Sequence, residues 1–181
     1  IFMKLREIIL QNFRGYYNET RIPVDDLTAL IGQNDVGKST ILEALDIFFN
    51  QSKIESGDKN ILHTDEETVI GCVFDELPET IVLEDVETSL SNEYLLNEDG
   101  RLEIHKKYLA NGKQAIWIYA LHPSNEGFDD LLLKKNNELK TKIRSANLQN
   151  MANLTINSDM RRVLWQSLGD ENNVLFKIHK C

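Results

Sequence analysis

The chain has 181 residues, with 20 Lys and Arg side chains against 29 Asp and Glu, so its formal net charge is −9. Hydrophobic residues make up 41% and charged residues 27%, a balance that excludes a mainly disordered chain. No apolar run approaches the roughly 20 residues of a membrane-spanning helix, and Lys4 and Arg6 interrupt the N-terminal run, which excludes a signal peptide. We therefore predict a cytoplasmic protein in which Cys72 and Cys181 are reduced thiols.

The negative charge is concentrated in one segment. Residues 51–100 carry 2 basic and 14 acidic side chains, whereas residues 1–50 carry 5 and 7 and residues 101–181 carry 13 and 8. The acidic total therefore describes the middle of the chain and does not exclude contact with nucleic acid.

The first part of the chain is predicted to alternate strands with one helix. Apolar and β-branched patterns favour strands, and Pro23 favours an edge position because proline cannot donate to a ladder. The run LTALI, ending at Gly32, is typical of a buried parallel strand, and apolar residues spaced by three to four (Ile41, Leu42, Leu45, Phe48 or Phe49) indicate a helix. The predicted strands are 4–13, 19–24, 27–31 and 68–74, and the predicted helix is 38–49.

The remainder is predicted to form an antiparallel β-meander followed by helices. Turn signals at 97–100 and at Asn111-Gly112 separate short strands. The predicted strands are 81–83, 93–96, 102–109 and 115–121, and the predicted helices are 128–146 and 158–168, the second with Ser158 as N-cap. The fold class is α/β (α+β), with one domain over 1–125 and a helical segment, the start of an arm, over 126–181.

One motif carries chemistry. Residues 32–39 read GQNDVGKS, a full match to G-x-x-x-x-G-K-[ST], with a predicted strand before it and a helix after it. Gly32 and Gly37 permit backbone angles that let successive N–H groups surround a phosphate, and the helix start adds partial positive charge. The motif predicts nucleotide binding rather than a chance Gly-Lys-Ser turn.

Individual roles follow from the motif. Lys38 is expected to reach the β- and γ-phosphates, Ser39 to ligate Mg²⁺, and Thr40 to contact the α-phosphate. Asn34, Asp35 and Val36 complete the predicted binding loop.

Other candidates have open alternatives. Arg14, in NFRGY, is either a surface arginine or a contact on the phosphate or adenine side of the same site. His63 lies in an acidic loop that is either solvated or close to the γ-phosphate. The basic residues near 134–144 form either a solvated helix face or a surface for a phosphate backbone.

The run VIGCVFDE at residues 69–76 resembles a Walker B strand, in which an Asp holds Mg²⁺ and a Glu polarises water. It lies only 31 residues past Lys38, and hairpin signals follow it. We therefore predict that it is an antiparallel strand, and no catalytic residue is assigned.

Residues 3–50 resemble the N-terminal ATP-binding lobe of the SMC/RecF/OLD group of ABC-type ATPases. The resemblance is carried by the first strand, NFRGY, the IGQN loop, and GKST followed by LEAL. FDELP and DMRRVLW make the later chain look most like OLD-family ATP-dependent endonucleases, some of which act in phage defence.

The resemblance implies ATP and Mg²⁺ as cofactors, with Gly32, Asn34, Gly37, Lys38, Ser39 and Thr40 as the binding loop and Arg14 on the phosphate side. It also implies dimerised heads that hydrolyse ATP, and DNA as a possible partner of the intact protein. A signature motif, a switch histidine and a TOPRIM acidic cluster are missing, so we expect an N-terminal piece of a longer protein. The alternatives are an interaction module that binds nucleotide without hydrolysis and, less favoured, a small-molecule kinase.

Overall fold

The Ile-rich segment at the start of the chain forms the first strand of the main sheet. In this computed structural model the described residues are 3–30, 37–50, 53–84, 86–111 and 113–168, together with the backbone of 173–179. The elements are β1 Lys4–Gln11, β2 Thr20–Pro23, α1 Lys38–Asn50, β3 Thr68–Asp75, β4 Ile81–Leu83, β5 Val86–Thr88, β6 Leu102–Tyr108, β7 Gln114–Pro123, α2 Asn136–Ser145, α3 Asn157–Gln166 and β8 Asn173–His179, with 3-10 turns at Ser56–Asp58 and Leu131–Leu133.

The main sheet has the strand order β2-β1-β3-β6-β7-β8. β1 pairs antiparallel with both neighbours, Leu10 lying opposite Thr20 of β2 and Ile70 of β3. In β3 every residue except the last is buried, which is expected for a strand that has a neighbour on each side. The mixed α/β class and the antiparallel placement of β3 are confirmed.

Helix α1 packs on β1 and β3. The predicted helix is confirmed, and its predicted stripe is right at Ile41 and Phe48 but wrong at Leu42, which is more than half exposed, as is Phe49. The buried face of α1 combines Ile41 and Phe48 with Ala44 and Ile47, which the prediction did not include. Sequence spacing alone does not fix the rotation of a helix whose apolar residues cover more than one face.

Lys106 of β6 caps the C-terminal end of α1. Its ammonium donates to the Phe48 carbonyl at 2.5 Å and lies 4.9 Å from the Phe48 ring centre. A cation at the last carbonyls of a helix complements their partial negative charge. The side chain of Lys106 therefore fixes the C-terminal end of α1 against the sheet.

The contacts divide the chain into two compact units. The first contains α1 and consists of Phe2–Leu77 and Glu103–Ile118, with His179–Cys181; the second consists of Pro78–Leu102 and Tyr119–Ile178. The second unit has its own core on α2 and α3, made of Leu131, Leu139, Ile143, Met160, Val163, Leu164 and Trp165. The division at residue 125 stays a prediction.

The strand predicted at 27–31 is wrong over its described part. Residues 27–30 form no strand, and Leu27 is 91% exposed, while Ile31 lies outside the described residues. A buried parallel strand needs neighbours that take up its N–H and C=O groups. None of the described strands pairs with residues 27–30, so this run lacks the neighbour that a buried strand requires.

The continuous meander is also corrected. β4 and β5 form a separate two-stranded sheet, and β3 has β6 as its next neighbour. The strand predicted at 93–96 is a turn, in which Tyr94 has a positive φ of 54° and the Leu95 N–H donates to the Leu90 carbonyl. The turn directs Glu93 into the second unit's interior, an outcome that its acidic side chain did not indicate.

Three details of the helical segment differ from expectation. The predicted helix 128–146 is broken, because the chain is extended at Lys134 and Lys135 before α2 begins. The α3 N-cap is Ile156 rather than Ser158, and β8 follows the helices where no strand was predicted. None of the described helices is long and apolar enough to cross a membrane.

Candidate nucleotide site

The predicted binding loop ends where α1 begins. Gly37 has φ +82°, in the region that favours glycine, and Lys38 is the first helical residue. A Cβ on Gly37 would lie 3.0 Å from the Tyr16 hydroxyl oxygen. The backbone angle thus favours glycine at position 37, and any larger residue would also have to displace the Tyr16 hydroxyl by a few tenths of an ångström.

The start of α1 has the geometry of an anion site. Its first helical hydrogen bond runs from the Ile41 N–H to the Gly37 carbonyl at 3.2 Å. The first N–H groups of any helix, here including those of Ser39 and Thr40, have no acceptor within the helix. They carry the partial positive charge of the helix dipole. Ser39 is exposed and Thr40 is buried.

The rest of the predicted loop, Gly32, Asn34, Asp35 and Val36, lies outside the described residues. The assignment of the loop and of Lys38, Ser39 and Thr40 to phosphates and Mg²⁺ therefore stays a prediction. The described part of the chain has no cluster of His, Cys, Asp or Glu side chains suited to a metal ion.

Arg14 lies beside α1. Its Nε and Nη2 donate to Asp58 Oδ1 at 3.1 and 2.7 Å, and its Nη1 pairs with Glu43, a residue of α1. The hydrogen bonds that Arg14 donates to Asp58 raise the pKa of Arg14 above its ordinary value, and burial opposes this shift. The charge of this arginine is therefore balanced by two carboxylates.

Several hydrogen bonds fix Asp58, one of the two carboxylates that pair with Arg14. Its side chain is 9% exposed, and its second oxygen accepts the Glu55 N–H at 2.9 Å. The Arg14 N–H donates to the Asp58 carbonyl at 2.7 Å, and Asn60 Nδ2 donates to the Arg14 carbonyl at 2.8 Å. Asp58 thus holds the guanidinium, whereas the side chain of the second partner, Glu43, is 46% exposed.

A cleft of about 610 Å³ opens next to Arg14. This volume lies in the range of small-ligand sites. Two side chains that line it, Ile61 and Leu62, are at least 80% exposed. The full lining is Arg14, Gly15, Gly57, Lys59, Asn60, Ile61 and Leu62.

The loop that carries His63 is exposed over most of its length, and contacts at His63 anchor it. The His63 ring stacks on Tyr17 with centroids 3.7 Å apart, and its Nδ1 lies 2.8 Å from Glu66 Oε1. Asn12 Nδ2 donates to the His63 carbonyl at 2.9 Å. Contacts with the end of β1 and with its following turn therefore hold this loop.

The acidic pair that ends β3 is engaged with cations of β1. Asp75 accepts from Arg6 Nε at 2.5 Å, and Glu76 accepts from Lys4 Nζ at 3.1 Å. β3 and β1 are antiparallel, so these carboxylates have a structural role in holding the two strand ends together.

Sequence reasoning did not single out Tyr16, Glu43 or Asp58. Tyr16 follows the NFRG turn directly, which was a usable signal, and Glu43 lies one helical turn past Ser39. Asp58 is 44 residues from Arg14, and only the folded chain brings the two together.

The free thiol of Cys72 lies in the interior of β3. The side chain is buried, and burial raises the pKa of the Cys72 thiol to about 12, so it stays protonated.

The profile of a protein family described as "AAA ATPase domain" matches residues 3–174. No curated protein sequence matches the chain. One solved structure, described as "Structural biochemistry of ATP-driven dimerization and DNA stimulated activation of SMC ATPases", aligns with 64% of this chain and 69% of that chain, at 15% identity and a TM-score of 0.44.

Proposed function

Because the chain belongs to the AAA ATPase domain family, we propose that it binds ATP with Mg²⁺ where the loop 32–37 meets α1. The observation that carries this proposal is the coincidence of motif and backbone: the last glycine of G-x-x-x-x-G-K-[ST] has φ +82°, and the helix starts at the next residue. In this arrangement the helix start faces the phosphates.

Each side chain then has a specific role. Lys38 neutralises charge on the β- and γ-phosphates, Ser39 offers its hydroxyl to Mg²⁺, and Thr40 contacts the α-phosphate. Arg14 binds on the phosphate side by exchanging Glu43 for phosphate oxygens, while Asp58 keeps the guanidinium in place. The cleft next to Arg14, with its apolar Ile61 and Leu62, supports a place for the rest of the nucleotide.

In the intact protein, this domain hydrolyses ATP to ADP and phosphate as one of two dimerised ABC-type heads in an OLD- or SMC-like protein that processes DNA or acts in phage defence. The support is the sequence resemblance over residues 3–50. A cytoplasmic location belongs to the same proposal.

A second candidate is a nucleotide-binding interaction module that does not hydrolyse. The observation that favours it is the pairing of Asp75 and Glu76 with Arg6 and Lys4, which leaves them in a structural role. Substantial Mg²⁺-dependent phosphate release by this chain, lost in Glu76→Gln, would reject the candidate and assign the role of water activation to Glu76.

Calorimetric titration with ATP and Mg²⁺ tests the binding site. We expect Lys38→Ala to weaken binding at least about tenfold, because a hydrogen bond to a charged group contributes about 1.5–3 kcal/mol. Lys113→Ala is the matched control, because it removes an exposed lysine and changes the net charge by the same amount. Equal affinities in the two variants would contradict the proposal.

A further inference from the structure

Most described cations of this protein already have a partner. Eight lie in ion pairs with carboxylates, and others donate to carbonyls, as Lys106 does to Phe48. The ion-paired cations are Lys4, Arg6, Arg14, Arg21, Lys107, Lys134, Arg161 and Arg162.

The cations without an ion pair or a side-chain hydrogen bond, among the described residues, cluster on one helix. Lys140 and Arg144 lie one turn apart on α2, and Lys142 lies over the Phe128 ring at 4.8 Å. Lys135 directly precedes the helix. In the described chain the two others, Lys53 and Lys113, are isolated.

Lys140 and Arg144 share a flank from which carboxylates are absent. The helical repeat places Asn137, Lys140, Thr141 and Arg144 along it, at spacings of three and four residues. From residue 139 to residue 158 the chain has no Asp or Glu, although 29 of its 181 residues are acidic. Nothing on this flank offsets the two positive charges.

Capping of α2 does not account for these cations. The Leu148 N–H donates to the Ile143 carbonyl at 2.9 Å, and the Asn147 N–H donates to the Arg144 carbonyl at 3.0 Å. Asn147 has φ 58°, so the helix ends in a Schellman motif that satisfies its last carbonyls with backbone groups. The side chains of Lys140 and Arg144 are therefore available to an external anion.

We propose that this basic flank of α2, residues Asn137, Lys140, Thr141 and Arg144, binds the phosphate backbone of a nucleic acid duplex. Two cations and a side-chain amide on a rigid helix match the donors that proteins use toward phosphate oxygens, and such contacts position a duplex without reading its sequence. The proposal names a surface for the DNA role within the proposed function and rests on that role, whereas ATP binding does not depend on it.

The test measures the affinity of the full chain for a labelled DNA duplex of about 20 base pairs as salt is raised from low concentration. We expect Lys140→Ala with Arg144→Ala to reduce the slope of log K against log salt by about 2, since each lost phosphate contact reduces it by about 1. The control is Lys53→Ala with Lys113→Ala, which has the same net charge and is expected to keep the slope. Circular dichroism checks that both variants fold.

Three outcomes would overturn the proposal: no binding of duplex by the wild-type chain, an unchanged slope in the α2 variant, or an equal reduction in the control. Binding of polyglutamate but not of duplex would assign the flank to an acidic protein instead. ATP affinity is measured on the same variants and is expected to stay unchanged. A loss of DNA binding with intact ATP binding therefore separates this proposal from the nucleotide site.

Discussion

Two arginines in this protein are each held by two carboxylates, in opposite surroundings. Arg161 of α3 donates to Glu93 through Nε at 2.8 Å and through Nη2 at 3.2 Å, and to Glu84 at 3.1 Å, with its own side chain and that of Glu93 at most 2% exposed. The Arg14 side chain is 35% exposed, and its partner Glu43 is 46% exposed.

The difference in exposure distinguishes an arginine with a purely structural role from one that solvent reaches. A buried arginine cannot exchange its partners for a ligand, because each bare charge would be left without water or counter-ion. A half-exposed arginine exchanges partners at little cost. The same three-residue arrangement therefore holds the helical unit together at Arg161, whereas at Arg14 it lies where water reaches the guanidinium and one of its partners.

The largest expected effect comes from breaking the buried group. Arg161→Met leaves Glu93 charged and buried, and we expect a loss of about 3–5 kcal/mol in the free energy of unfolding. Denaturant titration followed by Trp165 fluorescence in a Trp117→Phe background reports on the unit that contains α3.

Arg162→Met is the matched control. Arg162 is the next residue, pairs with Asp159 and is 45% exposed, so its loss is expected to cost under about 1 kcal/mol. Adding Glu93→Leu to Arg161→Met is expected to recover stability, because the second change removes the unpaired charge. Equal losses in the two single variants would contradict the contrast between buried and exposed groups.

A smaller effect on stability is expected at Arg14. Arg14→Ala leaves one oxygen of the buried Asp58 without its donor, at a cost of about 1–3 kcal/mol. The same variant is expected to weaken ATP binding, whereas Arg162→Ala is expected to leave it unchanged. An Arg14→Ala variant with the wild-type affinity for ATP in calorimetry would place Arg14 among structural residues, like Arg161.

The smallest effect is a pH dependence confined to the helical unit. Burial lowers the pKa of His122 below its ordinary 6.5, and its ring packs edge-on to Trp165 at 5.3 Å. Tyr94 contributes a carbonyl to Nδ1 at 3.1 Å, and the charges of Asp129 and Glu93 act in the opposite direction to burial.

Because the folded pKa of His122 is lowered, the unfolded chain binds the proton first as pH falls below about 6.5. The contribution of neutral His122 to the free energy of unfolding is therefore fully present above that pH. As pH falls from there toward the folded pKa, this contribution decreases by at most about 1.4 kcal/mol per pH unit. We expect His122→Phe to reduce this slope in denaturation measured by Trp165 fluorescence between about pH 7.5 and about pH 5.5. An identical slope in the variant would remove His122 as the cause.

The sequence was sufficient where the determinants are local. The alternation in β1, the β-branched run of β3 and the Gly-Lys-Ser start of α1 each depend on neighbouring residues, and these elements were predicted correctly. The strand predicted at 27–31 failed because an apolar run becomes a strand only beside a partner, which local pattern does not reveal.

The candidate site was predictable to the same extent. The motif predicted roles for Gly37 and Lys38, and the NFRGY turn predicted one for Arg14, and these roles stay predictions. Asp58 and Glu43 were not identified, because acidic residues are frequent in this chain and only its fold selects the two that meet Arg14. For the same reason Glu93 was predicted in a strand and is instead buried against Arg161.

Hydrogen exchange of the chain with and without ATP and Mg²⁺ tests directly for an ATP site at the start of α1. We expect slower exchange in peptides that contain Tyr16 and in those that span Gly37–Ile41, since bound phosphates accept hydrogen bonds from the amides at the helix start. Peptides of α3, which contains Arg161, are predicted to exchange at the same rate in both conditions. Protection in α3 without protection at Gly37–Ile41 would contradict an ATP site at the start of α1.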